Sequence, residues 1–185
     1  VNFGIEARGI ACFDRTMSTV LIEIRRAKTN DAGAIADAHD EAWRMAYRGI
    51  IPGAQLEKLI NRRGPAWWEN AIRKGSRIVL FQFGDKIAGY ANYGYNRTRS
   101  LYYDGEIYEL YMRPEFQGLG FGRRLFTAVR CDLAQNALKS LIVWVLSENE
   151  KAVEFYRALG GKVVARSSEK FGTRVLDKVA FGWQG

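Results

Sequence analysis

Apolar and polar residues alternate from Val20 to Arg26, which predicts a first strand. Asn30 and Asp31 suit the cap of a helix running to about Tyr47, with Ile35, Ala38, Ala42 and Met45 recurring along one face. Pro52 fits a helix start before Gln55 to Ile60, and Pro65 opens a further helix carrying Trp67 and Trp68. Arg77 to Phe83 and Ile87 to Tyr95 read as a hairpin about a Gly84-Asp85 turn. A polar loop over 96–104 leads to an apolar, aromatic strand at 105–112 and a helix at 119–136. Leu141 to Leu146 is an unbroken apolar run, the pattern of a strand covered on both faces. Asn149 to Leu159 reads as a helix ended by Gly160 and Gly161. Lys162 to Arg166 and Val175 to Trp183 close as a last hairpin. The order predicts one α/β domain, a mixed sheet with helices on both faces.

The stretch from Glu106 to Val129 carries the most chemistry. After the strand and an Arg113-Pro114 turn comes a glycine-spaced loop, Gln117-Gly118-Leu119-Gly120-Phe121-Gly122, opening into a helix with Arg123 and Arg124. Glycine permits tight turns and close approach to a ligand. A helix start offers unpaired N–H groups and a positive dipole end. Together they suit a pyrophosphate or similar anion. The P-loop, GxxxxGK[ST], is excluded, because no lysine followed by Ser or Thr stands behind these glycines. The dinucleotide fingerprint is excluded too: its third glycine would fall on Arg123 or Leu125.

Gln117, Gly120 and Gly122 do match Q/R-x-x-G-x-G/A, and in this the loop resembles the coenzyme A loop of the GCN5-related N-acetyltransferases. A second segment, Asn149 to Gly160, resembles that family's N-x-x-A-x-x-F-Y-x-x-x-G. The resemblance covers roughly residues 20–183. It implies a mixed, mostly antiparallel central sheet and transfer of an acetyl group from acetyl-CoA to a primary amine of a small molecule or a protein. By the same resemblance, Gln117, Gly118, Leu119, Gly120, Phe121, Gly122 and Arg123 hold the coenzyme, with Asn149 beside it. The backbone of Leu110, Tyr111 and Met112 pairs with its pantetheine arm, and the Met112 N–H faces the thioester carbonyl. Tyr156 is implied as the acid that protonates the leaving thiolate. Read physically, Ala152, Phe155, Tyr156 and Leu159 also recur at helical spacing, and Asn149 also suits a helix N-cap.

Glu109 matches a position where several family members carry a catalytic glutamate. Glu106 lies three residues earlier, so strict alternation sends the two to opposite faces unless a bulge intervenes. Apolar neighbours around Glu109 would raise its pKa towards that of a useful base; an ordered water is the alternative base. The family implies an acceptor pocket from the first two helices and the last hairpin: His39, Asp40, Trp43 and Tyr47, then a loop from Ser167 to Thr173. Trp43 and Tyr47 also lie one helical turn apart, as in a packing stripe.

Composition narrows the alternatives. The chain has 185 residues, 48% of them apolar, enough for one domain with a substantial core. Met17-Ser18-Thr19-Val20 reads as a natural start, so residues 1–16 are expected to be an upstream extension, with residues 1–19 preceding the domain and 20–185 forming it. Cys12 and Cys131 form no CxxC and His39 is the only histidine, so no metal is expected. No secretory signal or spanning segment is evident, which predicts a cytoplasmic protein with no membrane partner. The net charge of +8 suits anionic coenzyme A. Nucleic acid is the weaker reading of that charge, because the basic residues are spread and no RNA- or DNA-binding module appears. A non-catalytic acyl-CoA-binding module is the other alternative. Exposed edge strands would allow a homodimer.

Overall fold

Leu141–Leu146 is buried along almost its whole length, and the sheet is built outward from it. The computed structural model describes residues 21–185; the expected extension, with Cys12, lies outside the described residues. Among the described residues, seven strands form one sheet: β1 (Ile22–Arg26), β2 (Arg77–Phe83), β3 (Lys86–Tyr95), β4 (Gly105–Met112), β5 (Leu141–Leu146), β6 (Lys162–Phe171) and β7 (Arg174–Trp183). Their order is β1-β2-β3-β4-β5-β7-β6. Among the described residues, β4 and β5 are the only neighbouring strands that run parallel. The described α-helices that cover the sheet are α1 (Ala32–Tyr47), α2 (Gly53–Asn61), α3 (Pro65–Arg73), α4 (Phe121–Gln135) and α5 (Glu150–Ala158).

The helices form where apolar residues recur at helical spacing and bury one stripe. Ile35, Ala38 and Ala42 of α1 are buried as expected, but Met45 is 53% exposed. Small residues, Ala32, Ala36 and Ala38, let α1 lie close to the sheet, where Trp68 of α3 packs fully buried against Tyr90. On the other face Leu125, Phe126, Val129 and Leu133 of α4 join Ile107, Val143 and Phe181. Asp132 of α4 accepts from Arg26 at 2.8 Å and from the Tyr93 hydroxyl at 2.9 Å, fixing the helix to β1 and β3. A third cluster holds α2 over β5 and β7 through Leu56, Ile60, Leu146 and Leu176.

Two features depart from the expected pattern. The last hairpin is longer than expected: Ser167 to Phe171 belong to β6 and pair with β7, and the connection shrinks to Gly172 and Thr173. The predicted acceptor loop over 167–173 is therefore mostly strand. The polar stretch Arg166 to Lys170 misled because β6 is an edge strand exposed on both faces, so it shows no apolar alternation. Second, β4 carries a bulge. Asn92 pairs with Glu109 and Tyr93 with Ile107, which leaves Tyr108 outside the register. Ile107 and Leu110 therefore pack into the same core although they lie three positions apart. Glu106 and Glu109 accordingly share the opposite face.

Candidate active site

Parallel pairing between β4 and β5 covers only Gly105 to Ile107 against Leu141 to Val143, after which the strands part. The split leaves backbone groups of β4 unpaired on one side. The Arg113 N–H bonds the Ala88 carbonyl at 2.8 Å, so by alternation the Leu110 and Met112 N–H groups point away from β3, into the split. A cleft of about 670 Å³ runs along it, walled by Leu110, Tyr111 and Met112, the glycine loop, and the start of α5.

The loop is shaped by its glycines. Gly118 and Gly120 have φ of +76° and +79°, left-handed values that cost a residue with a side chain about 1–2 kcal/mol. Gly122 faces Phe155: a Cβ there would lie 3.3 Å from its ring. Gly120 is the N-cap of α4 and supplies no capping side chain. The first turn of α4 contains no acid, so its free N–H groups present a net positive end to the cleft. Gln117 donates to the Met112 carbonyl at 3.1 Å and so ties the loop to the strand. Arg123 and Lys151 add positive charge to the walls, and Glu148 and Glu150 add negative charge. These features fit a coenzyme A: an elongated apolar cleft, free strand N–H groups for an amide-containing arm, and unpaired helix N–H groups for a pyrophosphate.

Tyr156 lies on the same wall. Its ring is locked by Phe126, Phe155, Phe181 and Trp183. Its hydroxyl has no hydrogen-bond partner among the described residues and opens to the cleft. Burial pushes its pKa well above the ordinary phenol value, so the hydroxyl keeps its proton. Asn149 caps α5 by accepting from the Ala152 N–H at 3.3 Å, and it also lines the cleft.

Behind Tyr111, aromatic side chains fill the space between α1, α3 and the sheet. The hydroxyls of Tyr47 and Tyr111 stand 2.6 Å apart. Burial pushes Tyr47 up to about 12, and Tyr111 is raised for the same reason. His39 is fully buried and its Nδ1 is 2.7 Å from the Tyr90 hydroxyl; burial, then the charge of Arg63, hold it down to about 3. Trp43 packs against His39, Tyr47 and Tyr111.

Glu109 is buried in this cluster and is outside the lining of the cleft. Arg63 donates to it at 3.0 Å while its guanidinium stacks 3.9 Å over Trp67. Burial raises the Glu109 carboxyl, and the Arg63 charge partly offsets this. Glu106 is engaged by Arg97 through the backbone N–H and the guanidinium, both at 2.8 Å.

Of the residues singled out in the sequence, Leu110, Tyr111, Met112, Gln117, Gly118, Gly120, Gly122, Arg123, Asn149 and Tyr156 line one cleft. Leu119 and Phe121 do not. Leu119 is 59% exposed, and Phe121 turns inward to stack on Phe81 at 4.7 Å. Asp40 is taken up by Arg44, which also binds Glu57. Sequence reasoning missed Met45, Ala46 and Ile50, which wall the cleft from α1 and the turn after it. Met45 had a signal, an apolar residue in the right phase that the core leaves exposed.

Comparison with known proteins bears on this arrangement. The Acetyltransferase (GNAT) family matches residues 36–160. The chain is 31% identical over 163 residues to a Bacillus subtilis protein named uncharacterized N-acetyltransferase YuaI, covering 88% of this chain and 93% of that one. It is 26% identical over 159 residues to the L-amino acid N-acyltransferase MnaT of Escherichia coli, covering 84% and 90%. The fold superposes on the PaiA N-acetyltransferase of Thermoplasma acidophilum, solved with coenzyme A, at a TM-score of 0.71 and 16% identity, covering 89% and 99%. The chain therefore belongs to the acetyltransferase (GNAT) family and is an acyl-CoA-dependent N-acetyltransferase.

Proposed function

We propose that the protein transfers the acetyl group of acetyl-CoA directly to a primary amine, with Tyr156 as general acid. The observation that carries this reading is the β4/β5 split, where unpaired Leu110 and Met112 N–H groups face a cleft closed by Tyr156. In the reaction the amine nitrogen attacks the thioester carbon from the Tyr111 side. Negative charge then develops on the carbonyl oxygen, and the Met112 N–H stabilises it. As the carbon–sulfur bond breaks, Tyr156 gives a hydrogen bond and then a proton to the sulfur. The Tyr156 pKa is high, but a thiolate desolvated in the same cleft rises in the same sense, which narrows the mismatch.

The glycine loop and the start of α4 hold the pyrophosphate, with Arg123 beside it. Glu109, turned from the cleft and held by Arg63, shapes and charges the wall behind Tyr111. MnaT, by its name, acylates L-amino acids, so amino acids are the first acceptors to test, followed by polyamines and peptide N-termini.

Calorimetric titration with acetyl-CoA, using ATP and NADH as controls, tests the cleft. Binding of acetyl-CoA alone is expected. An amine screen for free-thiol release then tests the reaction, and Tyr156→Phe should cut kcat by roughly 100-fold while leaving acetyl-CoA affinity unchanged. Unchanged turnover in that variant removes Tyr156 as the acid; no acetyl-CoA binding removes the reading altogether.

A further inference from the structure

The α1 residues expected to meet the acceptor lie outside the cleft lining. His39, Trp43 and Tyr47 recur every four residues and pack inward against Trp68, Tyr90 and Tyr111. Asp40 is held by Arg44, and Glu41 by Arg113 at 2.7 Å. A neighbouring stripe of the same helix walls the cleft instead. Ala42, Met45 and Ala46 stand at i, i+3 and i+4, so they share a face beside the aromatic stripe. Ile50, in the turn after the helix, extends that wall.

The four side chains of this wall are uncharged. Alanine at both 42 and 46 leaves an apolar slot about one helical turn long, with Met45 beside it and Ile50 beyond. Tyr111 is turned to the α1 side of the sheet, whereas Leu110 packs into the opposite core. The slot therefore lies on the face assigned above to the attacking amine. The charged residues that line the cleft, Arg123, Glu148, Glu150 and Lys151, come from the first turns of α4 and α5 and the end of the β5–α5 connection. Arg44 and Arg48 line a separate cavity of about 320 Å³ together with Glu57. Met45 is 53% exposed, so the slot opens to solvent. An acceptor must enter and leave while the coenzyme is bound, and an open slot permits this; a blind end would suit a longer acyl chain.

We propose that the Ala42, Met45, Ala46 and Ile50 wall is the acceptor-reading subsite, and that it selects primary amines carrying an uncharged aliphatic group of a few carbons. This rests on the acetyltransferase reading above. Each methylene buried in the slot strengthens binding about fourfold. An ammonium or carboxylate at the same depth gives up water and meets no partner on this wall. The selection acts on the substituent, so it applies to simple amines and to α-amino acids alike.

The test compares kcat/KM, by thiol release at saturating acetyl-CoA, in two matched acceptor series. One is glycine, norleucine and 2-aminoadipate; the other is methylamine, pentylamine and cadaverine. Within each, the second member adds an apolar chain and the third adds a charge at its end. In at least one series the apolar member should exceed both others by about tenfold or more. Ala46→Leu fills the slot and should lower the ratio of the apolar to the smallest acceptor at least about fivefold. Met45→Glu, at an exposed position, should raise cadaverine relative to pentylamine at least about fivefold.

No preference for the apolar member in either series overturns the proposal. So do ratios that both variants leave unmoved, since an equal loss for every acceptor marks a structural or coenzyme-holding wall. A rate gain with hexanoyl-CoA over acetyl-CoA that Ala46→Leu removes gives the slot to the acyl chain and overturns it too. If Ala46→Leu does not fold, as judged by its thermal melt, Met45→Glu decides alone. Thiol release only with amines outside both series overturns the subsite and leaves the acetyltransferase reading standing. Release with no amine overturns that reading itself, which tells the two failures apart.

Discussion

The side chain of Gln117 donates a hydrogen bond to the carbonyl oxygen of Met112 at 3.1 Å. This bond fastens the glycine loop to the end of β4, two walls of the same cleft. It positions the loop before any ligand arrives. Gln117→Ala should therefore weaken acetyl-CoA binding about fivefold, the equivalent of one net hydrogen bond. Calorimetry checks this; an unchanged Kd would show that the loop holds its place without the bond.

Gly120 and Gly33 are both glycines at or near helix starts, but only one is needed. Gly120 has φ of +79°, whereas Gly33 lies within α1, where an added Cβ would meet nothing within 4 Å. Gly120→Ala should lower stability by about 1–2 kcal/mol, or Tm by roughly 2–8 °C, and loosen acetyl-CoA. Gly33→Ala should be neutral or slightly stabilising. Equal melts for the two variants would contradict the strained-loop argument.

His39 makes stability depend on pH. Its folded pKa is held down to about 3 from an ordinary 6.5, because burial and Arg63 disfavour the charged ring. A depressed folded pKa contributes stability that is complete above 6.5 and lost as pH falls towards 3. The unfolded chain takes up the proton first. Its Nε2 is buried without a partner, so protonation there has nothing to compensate it. Urea unfolding from pH 7 to 4 should show the wild type losing up to about 1.4 kcal/mol per pH unit more than His39→Gln. Parallel curves for the two would show that the ring is not held neutral.

Arg63 and Glu109 are unequal partners, with side-chain exposures of 30% and 6%. Removing Arg63 strands a buried acid, whereas an amide at 109 leaves a guanidinium that still reaches solvent. Arg63→Ala should cost about 3 kcal/mol and Glu109→Gln about 1 kcal/mol. Glu109→Gln should also keep kcat within about threefold; a fall of about 100-fold or more would make Glu109 the base.

Much of this was legible in the chain because it depends on local chemistry. Gly118 and Gly120 permit the left-handed backbone the loop adopts, the unbroken apolar run at Leu141 to Leu146 marks a strand covered twice, and Asn149 marks a helix start. Those elements, their order, and the loop-to-helix turn follow from steric and hydrogen-bonding rules that act over a few residues.

Other features were decided only when distant segments met. The bulge at Tyr108 exists because β4 must register against β3, and it puts Glu106 and Glu109 on one face against simple alternation. β6 forms by pairing with β7, without an apolar pattern of its own. Arg63 pairs with Glu109 across 46 residues of sequence, and Tyr47 meets Tyr111 across 64. Local sequence sets which conformations each segment prefers. Burial and partner choice, which set the charge and reach of every group in the site, depend on contacts that only the folded sheet creates.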